Sequence, residues 1–173
     1  TSPGGSPAVI ILGGGIDSSV RCGVGNTSVG NCSASLGGSG NTASAEFSTI
    51  VGGRSNSVTG IDGTVVGGYK NTVSCSSGFI GGGCLNSILS ECGVISGGKC
   101  NKVDFGGNYS IIVGGYKNIT CCGTAFIGGG QSNTASGNCS FVGGGCTNSA
   151  TAYYTTVGDG VGNVASGVNS TIG

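Results

Sequence analysis

The chain contains no histidine, no methionine and no tryptophan, only two prolines, and charged side chains at 7% of its 173 residues. Each absence excludes something. Without histidine, the usual general base and the commonest metal ligand are missing. Base chemistry would fall to Asp17, Glu46, Asp62, Glu91, Asp104 and Asp159, which stand at different places in the repeat described below, so no two form a catalytic pair. Six Lys and Arg against six Asp and Glu give zero net charge and no basic face of the kind a nucleic-acid binder needs. Apolar runs such as residues 8–12 are far too short to span a bilayer. No glycine run opens into Gly-Lys-Ser/Thr, as a phosphate loop requires; Gly98-Lys99-Cys100 lacks the hydroxyl. Gly158-Asp159-Gly160 occurs once, whereas calcium-binding repeats must recur. The expectation is no cofactor, no metal and no enzyme. The missing methionine suggests a removed initiator or a processed product, with any signal peptide already gone.

What is there is glycine, cysteine and repetition. Glycine numbers 41, but not at every third residue, which excludes collagen. Apolar residues at 36% exclude a chain too polar to fold. An Asn recurs at Asn26, Asn41, Asn56, Asn71, Asn86, Asn101, Asn118, Asn133, Asn148 and Asn163, each step 15 residues except one of 17 between Asn101 and Asn118. A short fixed period means one small unit stacked on copies of itself. Six residues before the Asn lies an apolar column, among it Ile50, Val65, Ile80, Ile95, Ile112 and Ile127, broken only by Ser35; two residues after it lies a second, from Ser28 and Ala43 through Val58, Val73, Ile88 and Val103 to Ala165. β-Branched residues at one place in every coil suit an inward-facing strand position. The second column is small toward both ends, so the core is expected to narrow there. Gly stands three residues before every Asn, with a second Gly beside it from Gly37 to Gly144, and the pair reads as a corner requiring positive φ or close backbone approach. The predicted fold is an all-β, single-stack parallel β-solenoid of about ten 15-residue coils over residues 22–173, with residues 1–21 an N-terminal arm and a cap or assembly strand. Parallel coils rise about 4.8 Å each, giving a rod of about 50 Å.

The Asn shares parity with the inward column, and stacked amides would form a hydrogen-bonded ladder; the plainer role is tolerance of a left-handed turn. The two extra residues fall within residues 104–109, where a bulge is expected near Phe105 and Tyr109.

The phrase Ser-Thr-Ile-Val-Gly-Gly-x-x-Asn-x-Val-x-Gly, Ser48 to Gly60, resembles the head repeats of trimeric autotransporter adhesins and similar repeats in fibre proteins of phages and large viruses. The resemblance covers residues 22–173. It implies a left-handed β-roll and a surface or fibre role.

Ten cysteines point to an oxidising compartment and disulfides; an all-Cys zinc site is the competing reading, without a C-x-x-C knuckle to support it. Cys75 with Cys92 and Cys122 with Cys139 are 17 apart, and Cys84 with Cys100 are 16 apart, so each pair lies in adjacent coils offset by one or two positions, near bridging distance. Cys22 with Cys32 and Cys121 with Cys146 are further candidates, within or between chains. Sequons occur at Asn26, Asn31, Asn108, Asn118, Asn138 and Asn169; Asn26 and Asn118 belong to the inward column, so Asn108, Asn31, Asn138 and Asn169 are the glycosylation candidates. The apolar segment Ala8, Val9, Ile10, Ile11 and Leu12 is an assembly-strand candidate, one that a neighbouring copy could add to residues 167–173, which stop partway through a coil. The expected function is a secreted, structural, self-assembling subunit of an extracellular fibre, stacked head to tail and stabilised by disulfides. Its partner is itself, with glycans a further one and neither nucleic acid nor a membrane span involved. The alternative is an adhesin or viral fibre head binding a host surface. An ice-binding solenoid ranks third, because Phe79, Phe126 and Phe141 interrupt the outward column that carries Thr49, Thr64 and Thr156; such an apolar column better suits packing against another chain.

Overall fold

The computed structural model describes residues 11–21 and 23–173; Thr1 to Ile10 and Cys22 lie outside the described residues, and with them Ala8, Val9 and Ile10 of the assembly-strand candidate. The chain is a parallel β-solenoid of about ten coils, with no helix among the described residues. Every strand is two residues long, and the strands fall into a twelve-stranded and a ten-stranded sheet.

The short strands follow from the repeat. Thr49–Ile50 lies against Thr64–Val65 in parallel, a 15-residue register that puts like residues on like. The same pairing carries Thr42–Ala43 onto Ser57–Val58 in the other sheet. In the strands from Ser19–Val20 to Val164–Ala165 the first residue faces out and the second is buried, and in the last, Thr171–Ile172, the Ile is half-buried. The two buried columns meet to form a core of Ile, Val and Ala. Ile50, Ile80, Ile95, Ile112 and Ile127 of the first column, and Val58, Val73, Ile88 and Val103 of the second, are all 0% exposed. A third ladder of single bridges runs from Val24 and Ser39 to Cys146 and Val161. Coils are numbered below by their Asn, from Asn26 in coil one to Asn163 in coil ten.

The core does not narrow where its second column is small. Where that column carries Val58, Val73 or Ile88, the position five residues later is Gly63, Gly78 or Gly93; a Cβ on Gly63 would lie 2.7 Å from a Val58 methyl. Where the column carries Ser28, Ala43, Ala135 or Ala150, that later position is Ser33, Ser48, Ser140 or Thr155, all buried. Volume is thus conserved coil by coil, as close packing requires. Three of the four hydroxyls are absorbed locally, Ser33, Ser48 and Thr155 donating to the carbonyls of Gly30, Ala45 and Ala152 at 2.6, 2.6 and 2.8 Å, while the Ser140 hydroxyl has no partner among the described residues.

Only one glycine of the expected corner pair is sterically required. Gly83 has φ +87°, and a Cβ there would run into the Gly98 carbonyl of the next coil, whereas a Cβ on Gly82 meets nothing within 4 Å. Most coils contain two further left-handed residues that are not glycine. One lies at the turn between the sheets, such as Asp62, Cys92 and Tyr109; the other directly precedes the Asn, such as Lys70, Leu85 and Lys117, all with φ between 53° and 60°. The inserted residues are Phe105 and Gly106, which form an extra turn ahead of the regular turn at Asn108 and Tyr109. The strands on either side absorb them, with Val94–Ile95 pairing directly with Ile111–Ile112. Asn108 and Tyr109 therefore belong to the ordinary corner, and the bulge is confined to Phe105–Gly106.

Candidate functional site

The feature that ties all coils together is the Asn column. From Asn41 to Asn148 every Asn is at most 1% exposed. Each Oδ1 accepts the main-chain N–H of the next Asn: Asn41 from Asn56 at 3.0 Å, Asn71 from Asn86 at 3.0 Å, Asn86 from Asn101 at 2.9 Å. The 17-residue step keeps this bond, Asn101 accepting from Asn118 at 3.0 Å. Each Nδ2 then donates to two carbonyls, as Asn86 does to Gly82 and Gly98, both at 3.0 Å. The side chain thus fastens its own corner and the coil above it. The donors run mainly from amide to backbone; one side-chain-to-side-chain bond, Asn56 Nδ2 to Asn41 Oδ1 at 3.2 Å, accompanies them. Asp could not replace Asn here, because a carboxylate offers no donor for the two carbonyls.

The ten-stranded and twelve-stranded sheets lie face to face and are joined along two opposite edges. One edge is the bridge column. It carries Arg54, Tyr69 and Lys70, and again Lys99, Tyr116 and Lys117 three coils later. The Arg54 guanidinium stands 4.5 Å from the Tyr69 ring centre and Lys70 Nζ 5.2 Å from it. Lys99 and Lys117 flank Tyr116 at 5.9 and 5.1 Å. The other edge is the left-handed turn, which presents Asp17, Glu46, Asp62 and Glu91 to solvent. This sorting of charge follows from single residues at fixed repeat positions, and listing carboxylates one by one, as for a catalytic pair, did not reveal it. On the ten-stranded face Lys102 and Asp104 pair at 2.8 Å, and that hydrogen bond holds the Asp104 carboxyl below its ordinary pKa.

The outward face of the twelve-stranded sheet is apolar in its middle, from Phe79 through Val94, Ile111 and Phe126 to Phe141, and carries Thr on either side at Thr64 and Thr156. Phe126 and Phe141 stack with ring centres 5.2 Å apart and 4° between planes. Where this column carries Phe, the residue two further on is glycine: Gly81, Gly128 and Gly143 each lie 3.4 to 3.6 Å from the preceding ring, measured from an added Cβ.

All nine described cysteines are free thiols, so none of the expected bridges among them is formed. Register explains why. The Cys92 N–H donates to Ser76 and the Cys139 N–H to Gly123, so these residues stack over Ser77 and Thr124 at the turn, two positions beyond Cys75 and Cys122. Cys75 instead points its thiol at the Leu89 carbonyl, 3.0 Å away, and Cys139 sulfur lies 3.4 Å from the Thr124 hydroxyl. Cys84 bridges Tyr69 and Lys99 in its own column; Cys100, next to Lys99 and left-handed at φ 58°, directs its Cβ elsewhere. Cys121 follows a strand of the ten-stranded sheet, two coils from Cys146 on the bridge edge. Cys22, the expected partner of Cys32, lies outside the described residues. Burial, together with the neighbouring Cys122, raises the Cys121 thiol above its ordinary pKa.

Of the sequons, Asn31, Asn108 and Asn169 are exposed and Asn138 is half-buried, whereas Asn118 is 0% exposed. Asn31, Asn108 and Asn138 occupy the same turn position; Asn31 and Asn108 accept from the N–H of Ile16 and Glu91 in the preceding coil at 3.1 and 3.2 Å. Ile11–Leu12, the described part of the assembly-strand candidate, pairs antiparallel with Ser19–Val20 of the same chain. It covers the first strand of the twelve-stranded sheet, reverses the direction of pairing and is itself the end strand of that sheet, so it caps the regular coils within its own chain. Among the described residues no three His, Cys, Asp or Glu side chains are grouped to hold a metal ion, and no helix is long and apolar enough to cross a membrane. A shallow recess of about 210 Å³ beside the insertion is lined by Gly106, Cys122, Asn138, Thr151 and Tyr153, among others. A scan against protein-family models returns no match, and a search of curated proteins finds none similar to the chain.

Proposed function

We propose that the chain is a structural protein without enzymatic activity, a rod-like subunit of an extracellular fibre that associates with copies of itself. The observation that carries this reading is the unbroken Asn column, which links ten coils by bonds of 2.9 to 3.0 Å from Asn26 to Asn163. A spine of that kind stiffens a rod and forms no cleft. The groups that join coil to coil are the ones a second rod would present at its end, so copies stack head to tail by repeating the internal contact. The antiparallel cap at Ile11–Leu12 leaves the ten-stranded sheet, which begins at Thr27–Ser28, as the route for that contact. The resemblance to adhesin and viral fibre repeats points the same way, as do the exposed sequons Asn31 and Asn108 for a glycosylated, secreted protein. Negative-stain microscopy of the purified chain tests the reading. Threads with an axial repeat near 50 Å, roughly ten coils at the strand spacing, are expected; discrete short rods at all concentrations would refute it.

The adhesin or fibre-head alternative draws on the exposed cation and tyrosine edge around Tyr69 and Tyr116. It predicts the discrete rods, together with binding of an acidic surface that is lost in Arg54→Ala/Lys99→Ala.

A further inference from the structure

The twelve charged side chains are not scattered. Arg54, Lys70, Lys99 and Lys117 are exposed on the bridge edge, in coils three, four, six and seven. Asp17, Glu46, Asp62 and Glu91 are exposed on the opposite edge, in coils one, three, four and six when each turn is counted with the Asn that follows it. Arg21, Asp159 and the Lys102–Asp104 pair are the remainder. Because the two edges face away from each other, none of the four cations can reach the four carboxylates of its own chain. A copy placed alongside can supply them.

We propose that a second copy of this chain packs beside the first, parallel and offset by about half a coil, with the basic edge of one against the acidic edge of the other. Arg54 stands eight residues after Glu46 and eight before Asp62, so a bridge residue lies midway between two turns, and a copy shifted sideways and slid by about half a coil brings together Arg54 with Glu46, Lys70 with Asp62, and Lys99 with Glu91. Apolar residues follow the same match, Ile61 meeting Tyr69 beside the Asp62–Lys70 pair. Thiols do too: Cys92 faces Cys100 in coil six, and Cys139 faces Cys146 in coil nine. Sliding by three coils also matches three charges but surrenders three coils of contact. An antiparallel neighbour overlapping nine coils matches three charges and no thiols. A polyanion would satisfy the basic edge and leave the acidic edge unexplained. The contact joins unlike surfaces, so it closes into a ring or extends as a sheet of rods. It is electrostatic and exposed, so it orients the neighbour more than it tightens it, and a small-molecule disulfide then makes it permanent. Cys92 and Cys100 of adjacent chains lose two protons and two electrons to form the S–S bond, and the reagent's disulfide is reduced to two thiols.

The inference rests on the reading of the chain as self-associating, but uses the sides of the rod and not its ends. The test is zero-length carbodiimide coupling of a mixture of unlabelled and ¹⁵N-labelled full chain at low salt, followed by peptide mass spectrometry. Mixed-isotope isopeptides Lys70–Asp62 and Lys99–Glu91 are expected, and their loss in 1 M salt, where the Debye length is about 3 Å. Lys70–Asp17 with Lys99–Glu46 would overturn the register, and Lys102–Asp104 alone would overturn the contact; neither result affects the end-to-end threads, which microscopy reads separately. Arg54→Glu/Lys70→Glu/Lys99→Glu and Glu46→Lys/Asp62→Lys/Glu91→Lys each change exposed residues only. Each should sediment as monomer under conditions where wild type associates side by side, and their mixture should regain association; a mixture that stays monomeric would also overturn the proposal.

Discussion

Replacing one Asn in the middle of the column should cost far more than replacing the last one. In Asn86→Ala three side-chain hydrogen bonds vanish: the Asn101 N–H loses its acceptor at 2.9 Å, and the carbonyls of Gly82 and Gly98 lose their donor at 3.0 Å. Gly98 keeps a second bond, from the Cys84 N–H, and Gly82 is near enough to the surface to recruit water. The Asn101 N–H is different, because Asn101 is 0% exposed and a buried orphan donor costs about 1–3 kcal/mol. Two weakened carbonyl bonds add about 1 kcal/mol, and the small void left by the amide about 1 kcal/mol more. The expected loss is about 3–5 kcal/mol, a large share of the roughly 5–15 kcal/mol available to a domain. In Asn163→Ala only the bond from Nδ2 to the Asp159 carbonyl is lost among the described residues, at a half-exposed site, and about 1 kcal/mol is expected. Urea unfolding followed by far-UV circular dichroism compares the two. Hydrogen exchange at the Asn101 amide supplies the local readout, since its protection should collapse in Asn86→Ala alone. Equal losses in the two variants, or an Asn101 amide that stays protected, would refute the reasoning.

Gly83→Ala should destabilise by several kcal/mol, because a left-handed backbone is combined with a carbonyl in the Cβ position, while Gly82→Ala should stay within about 0.5 kcal/mol of wild type; thermal melts of the pair check this. Maleimide labelling at neutral pH should modify exposed Cys32 and Cys139 first and Cys121 late, since burial holds that thiol in its protonated form; mass spectrometry of a time course reads the order. Stability should be flat between about pH 5 and pH 8, where no side chain of this histidine-free chain has its ordinary pKa. Below that range a small contribution from Asp104 is lost as pH falls through its depressed folded pKa, and above it stability declines as pH rises from the ordinary thiol pKa toward the raised value of Cys121. Urea midpoints across pH test both arms, and a slope between pH 5 and pH 8 would contradict them.

The architecture was legible because one period governs it. The Asn spacing located every coil, and the columns around Ile80 and Val73 identified the inward faces without any long-range information. What escaped the period was whatever depends on direction and not on position. The cysteine spacing placed Cys75 and Cys92 in adjacent coils, but residues around a tight turn point in different directions, so a two-residue offset put them at separate places on the corner. The same limit applied to the insertion, where spacing alone could not separate Phe105–Gly106 from the regular turn at Asn108. Volume compensation between Val58 and Gly63, or Ala43 and Ser48, was written in the sequence, but it becomes visible only when two columns are compared coil by coil.

That comparison also shows how this fold separates its tasks. Inward positions are held by volume and outward positions on the twelve-stranded sheet by a similar exchange of Phe for Gly, so both resist change at single sites. The two edges are under neither constraint: their side chains are exposed, and left-handed backbone at the turn accepts Asp62, Cys92, Tyr109 and Tyr154 alike. Edge residues are therefore free to vary without cost to the core. A random assignment would mix signs along each edge. Four cations on one and four carboxylates on the other is the arrangement that the proposed side-by-side packing of copies would use, while the interior answers to close packing and to the Asn column.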